Sequence, residues 1–113
     1  MVLILERVSQ PACAYDSFQM TMSRSDGSAF ADAVRSRCTF GPLTIEERGD
    51  LLAWDAWEDT PSLTIHGDAE ALEELAAAFD EIARRGRHRH VPLYADDGRE
   101  CGELILGAQS ERW

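Results

Sequence analysis

Lysine and asparagine are both missing from this chain of 113 residues, and all eleven Lys and Arg positions are arginine. The two absent residues are those whose codons begin AA, so with Ala, Arg, Gly and Asp plentiful they predict a GC-rich bacterial genome. Cysteine is scarce: Cys13, Cys38 and Cys101 are widely spaced and odd in number, which argues against a secreted disulfide framework and predicts free thiols in a reducing compartment. Long apolar runs are missing too. No stretch approaches the ~18 apolar residues of a membrane span, and the opening Met1-Val-Leu-Ile-Leu-Glu-Arg carries no basic leader. The expectation is a cytoplasmic protein with neither signal peptide nor anchor. Glycine-rich phosphate loops, G-x-S-x-G and H-E-x-x-H are all absent, and no cysteine sits in a local signature with a histidine. These gaps predict a protein that is not an enzyme and uses no cofactor.

What is present is negative charge. The formal net charge is −10, a field that repels nucleic acid and anionic membranes and attracts basic surfaces. Arg84, Arg85, Arg87 and Arg89 crowd one short segment, so the rest of the chain sets 21 acids against seven arginines, a net of −14. Hydrophobic residues make up 44% of the sequence, enough for one modest core, and residues 1–113 read as a single domain.

Periodicity predicts the elements. Val2 to Val8 is a β-prone run, and Phe18, Met20 and Met22 alternate with polar residues as a half-buried strand; the two read as a hairpin. Ser25-Asp26-Gly27-Ser28 reads as a break, with Ala29 to Arg37 a weak helical turn or an irregular loop. Leu43 and Ile45, then Gly49-Asp50, then Leu51 to Trp57 read as a second hairpin with a two-residue turn. Ser62 to His66 reads as a strand. From Ala69 to Arg85 the apolar residues Leu72, Leu75, Ala76, Phe79, Ile82 and Ala83 form one helical stripe, capped by Asp68 and stopped by Gly86. His90 to Ala95 and Cys101 to Leu106 read as a final hairpin around Asp96-Asp97-Gly98. The predicted fold class is α+β: an antiparallel sheet of hairpins with one long amphipathic helix on one face. Its core is expected where Leu72, Leu75, Phe79 and Ile82 meet Leu63, Ile65, Leu104 and Leu106.

Residues 46–59 are the most informative for function. They hold Glu46, Glu47, Asp50, Asp55, Glu58 and Asp59 against Arg48 alone, interleaved with Trp54 and Trp57. Aromatic anchors supply much of the energy of protein interfaces, while surrounding carboxylates steer a basic partner. Strand alternation puts Leu51, Ala53, Asp55 and Trp57 on one face and Leu52, Trp54 and Ala56 on the other, so Trp57 is the indole expected at the surface. The expected partner-binding residues are Asp50, Asp55, Trp57, Glu58 and Asp59; the plainer reading makes both indoles core residues under an acidic rim. His88 and His90 form an H-x-H pair that a strand would point to one side, and His66 or Cys101 would complete a metal site; Arg87 and Arg89 beside the pair oppose a cation. Arg48-Gly49-Asp50 is explained by turn chemistry.

The order Trp57, Ser62-Leu63-Thr64-Ile65-His66-Gly67, the helix Leu72 to Ala83, His88-Arg89-His90-Val91 through Asp97-Gly98, and Glu103-Leu104-Ile105-Leu106 resembles small immunity proteins of bacterial polymorphic toxin systems. The resemblance covers about half the chain and leaves residues 1–40 unmatched. It implies an α+β domain that binds and neutralises one cognate toxin, with the acidic, aromatic-bearing surface covering a basic active-site cleft. Two other classes stand beside it: a small metal-binding protein or metal-dependent enzyme using His66, His88 and His90, and a homodimeric structural or regulatory domain whose final strand pairs edge to edge with its copy.

Overall fold

A computed structural model describes residues 4–10, 15–41, 43–56, 63–95 and 97–109. The chain runs β1 (Ile4–Gln10), β2 (Tyr15–Met22), α1 (Arg24–Ser36), β3 (Leu43–Glu47), β4 (Ala53–Ala56), β5 (Leu63–Gly67), α2 (Ala69–Arg85), β6 (Arg89–Tyr94) and β7 (Glu100–Ala108). The class is α+β, but the strands make two mixed sheets rather than one antiparallel sheet. One has the order β1-β2-β7-β6, the other β3-β5-β4.

The correction to topology has a physical cause. β1 pairs antiparallel with β2, and β6 with β7, as neighbours in sequence. β3 and β4 do not form the expected hairpin: β5 lies between them, parallel to β3 and antiparallel to β4. Leu63, Ile65 and Gly67 are buried on β5, and a strand so apolar belongs in the middle of a sheet, where neighbours on both edges keep its backbone hydrogen-bonded. Alternation of residue types specifies which face a strand buries and carries no information about its partner. β7 is central as well, held by β2 on one side and β6 on the other. The expected edge-to-edge pairing of the final strand with a second copy therefore lacks a free edge at that strand.

A second correction concerns residues 24–36, a full helix rather than a break followed by a weak helical turn or an irregular loop. Ser23 caps it, its hydroxyl accepting from the Asp26 N–H at 3.2 Å, and Arg37 ends it in the left-handed region at φ 55°. The Ser-Asp-Gly-Ser run that reads as a breaker is its first turn, and Gly27 serves packing. A Cβ there would stand 3.1 Å from both the Ala83 nitrogen and the Phe79 carbonyl oxygen on α2, so glycine lets two backbones approach. Gly27→Val is expected to destabilise the protein by about 1–3 kcal/mol, overpacking outweighing any gain in helix propensity. Thermal and urea unfolding measure this; unchanged stability would place the α1–α2 contact elsewhere.

α2 starts at Asp68, whose carboxylate accepts from the Ala71 N–H at 2.8 Å, and stops at Gly86 in the left-handed region. Arg24 at the start of α1 donates to the Ala83 and Arg84 carbonyls, satisfying the end of α2 from a neighbouring helix. Across the outside of the helix pair, Arg35 bridges Glu73 at 2.9 Å and Asp80 at 2.7 Å. The Arg35 hydrogen bond holds the Glu73 carboxyl below its ordinary pKa. α2 touches β5 of one sheet and β6 and β7 of the other. Beneath it, Leu72, Leu75, Phe79 and Ile82 are buried with Leu63, Ile65, Leu104 and Leu106 in a single cluster that also takes in Phe30 and Val34 from α1.

Candidate functional site

The two sheets meet edge to edge at one backbone hydrogen bond between described residues, from the Tyr94 N–H at the end of β6 to the Leu52 carbonyl just before β4, 2.8 Å long. Beyond it a cleft of about 540 Å³ lies between the sheets. Its wall takes Ala53 from β4, His66 from β5 and Tyr94 from β6. Asp50 and Leu51 enter from the turn after β3, and Asp97 from the turn between β6 and β7. An adjoining depression of about 380 Å³ shares Ala53, His66 and Tyr94 and adds Arg48, Trp54 and Cys101.

Local chemistry builds both turns. Gly49 has φ 74° and Gly98 φ 83°, values that favour glycine. At the second turn the Ala95 N–H donates to the Arg99 carbonyl at 2.9 Å and the Gly98 N–H to the Ala95 carbonyl at 2.9 Å. The Asp97 carboxylate accepts from the Arg99 N–H at 2.9 Å, the local bond that suits Asp to turns. The turns face each other: a Cβ on Gly98 would come within 4.0 Å of Leu51 Cδ1. Leu51 is the large exposed hydrophobic side chain of the described residues, 44% accessible.

The acids of residues 46–59 do not act alike. Glu46 pairs with Arg48 at 2.8 Å and Glu47 with Arg37 at 2.9 Å, so each has a basic partner within its own chain. Asp50 is exposed and has no ion-pair partner among the described residues. Asp55 lies on β4, opposite Thr64 of β5. Trp57, Glu58 and Asp59 lie outside the described residues. Trp54 is half-buried against the core, its ring edge-on to Phe18 at 5.8 Å, so the inward face expected from alternation holds this indole.

The histidines are not gathered into one site. His88 and His90 lie together, rings 5.4 Å apart, at the far end of β6 from Tyr94, whereas His66 lines the cleft. Among the described residues no group of three or more His, Cys, Asp and Glu side chains is placed to hold a metal. The segment around the pair has no acid in sequence but gains two in space: Glu81 reaches Arg89 at 2.7 Å and Glu103 reaches His90 at 3.0 Å.

Sequence reading missed Leu51, Tyr94 and Asp97 as members of one site. Each turn was legible as a turn, but nothing local signals that they share a cleft, because their meeting depends on β4 lying beside β6. No helix among the described residues is long and apolar enough to cross a membrane. No family model, curated protein or solved structure matches the chain.

Proposed function

We propose that this protein binds and neutralises a cognate bacterial toxin, acting as an immunity protein through its acidic, aromatic-bearing surface. The observation that carries the reading is the placement of charge. Exposed Asp50 and Asp97, with Arg48 and Arg99 beside them, stand where the turn after β3 approaches the turn after β6, whereas exposed Arg84, Arg85 and Arg87 lie together near the start of β6. A strongly negative molecule with these last three arginines clustered at one place favours association of a basic partner away from that place, through the side that carries Asp50 and Asp97. On that side stands the exposed Leu51, and the chain passes through β4 toward Trp57, the expected aromatic anchor.

Affinity and encounter separate in the test. The neighbouring gene product is co-expressed and purified with the protein, and association and dissociation rates are measured at two ionic strengths. Trp57→Ala is expected to weaken the complex by at least ~2 kcal/mol, or about 30-fold, mainly through faster dissociation. Asp55→Asn combined with Glu58→Gln is expected mainly to slow association and reduce its salt dependence. A complex whose rates neither variant alters would remove residues 55–58 from the interface; no complex with any neighbouring product would overturn the immunity reading.

A further inference from the structure

The cleft between the sheets has a definite chemistry at its mouth. Asp50 and Asp97 come from turns almost fifty residues apart, yet both line it. Neighbouring Glu46 and Glu47 are answered by Arg48 and Arg37. Among the described residues Asp50 has no ion-pair partner and Asp97 accepts from the Arg99 backbone N–H alone. Two carboxylates with no side-chain cation paired to them among the described residues, beside a concave wall of Leu51, Ala53, His66 and Tyr94, favour a cationic group there. A bare metal ion does not suit the place, because no group of three metal-ligating side chains is assembled among the described residues. The walls instead combine exposed Leu51 with Ala53 and an aromatic ring, Tyr94.

One protein side chain matches all of these features. Arginine carries a weakly hydrated planar guanidinium with forked donors suited to carboxylates, prone to stack on aromatic faces, on a stem that lies against apolar surface. We infer that the cleft receives an arginine side chain presented by the partner protein, Asp50 and Asp97 pairing with its guanidinium while Leu51, Ala53 and Tyr94 cover its stem. This deepens the binding reading above and rests on it for the identity of the partner as a basic protein. It also places part of the recognition surface on the turn after β6, outside residues 50–59.

The test uses the full chain and three defined probes, nona-arginine, nona-lysine and nona-glutamate peptides, with affinity from calorimetry and location from amide chemical shifts at about 0.15 M salt, where long-range attraction is screened. Nona-arginine is expected to bind more tightly than nona-lysine, with shifts centred on Leu51, Tyr94 and Gly98, and nona-glutamate not to bind. Asp50→Asn with Asp97→Asn should weaken nona-arginine by about tenfold or more, and Asp32→Asn with Glu73→Gln on the helix pair by less than about twofold. Asparagine at 97 keeps an acceptor for the Arg99 N–H, so the turn survives the change. Equal losses in the two double variants, shifts centred elsewhere, or equal affinity for lysine and arginine would each overturn the assignment. Self-association abolished both by the cleft variant and by Arg85→Glu with Arg87→Glu would give the cleft to a second copy and overturn a foreign partner. Nona-arginine bound at the cleft while no neighbouring product forms a complex would sink the immunity reading alone; a toxin held at full strength by the cleft variant would sink this inference alone.

Discussion

Phe79→Ala is expected to lower the free energy of unfolding by about 3–5 kcal/mol, a large share of the ~5–15 kcal/mol that holds a small domain folded. Phe79 is fully buried on α2, and its ring stacks on Phe30 of α1 with centroids 5.2 Å apart and planes 18° from parallel. Phe30 in turn meets Phe40 edge-on at 4.6 Å. Truncation therefore removes more than one side chain's burial. It opens a cavity at the point where the two helices and the sheets converge, and it takes a stacking partner from Phe30. The close backbone approach at Gly27 limits how far α1 can settle into the space, so little of the loss is recovered by collapse. Urea denaturation followed by circular dichroism measures the change. A loss below about 1 kcal/mol would mean that the helix stripe is not the face that builds the core.

Ile65→Ala is expected to cost about 2–5 kcal/mol and to do so without dividing the unfolding transition. Ile65 is fully buried on β5, the middle strand of the three-stranded sheet. That sheet meets its four-stranded neighbour through one backbone hydrogen bond among the described residues, which by itself would let the two open independently. Their apolar faces nonetheless share one cluster under α2, with Ile65 and Leu63 beside Leu104 and Leu106. Shared burial couples sheets more strongly than a single net hydrogen bond, worth about 0.5–1.5 kcal/mol. Amide exchange in β6 and β7 should therefore accelerate along with exchange in β3 and β5 when Ile65 is truncated. Protection retained in β7 but lost in β5 would show two cooperative units rather than one.

α2 shows what a local signal can specify. Its stripe, its Asp68 cap and its Gly86 stop all lie within a few residues of the bonds they make, so spacing alone placed the helix at Ala69–Arg85. α1 shows the limit. Its Ser23 cap was equally local, but Gly27 looked like a break because the reason for it, the Ala83 and Phe79 backbone, is more than fifty residues away. The same contrast divides the candidate site. The acidity of residues 46–59 is a property of composition; which acids stay uncompensated depended on where Arg37 and Arg48 came to rest.

By itself the sequence determined the α+β class, the faces that the strands and α2 bury, the cap and stop of α2, the glycine turns and the negative charge, because each follows from neighbours along the chain or from composition. Tertiary structure decided the order of the strands, the insertion of β5 between β3 and β4, the central place of β7, and the placing of Asp50 and Asp97 on one cleft. Periodicity tells a strand which side to bury and never which strand to pair with, and that choice is made by competition among all apolar strands for the middle of a sheet.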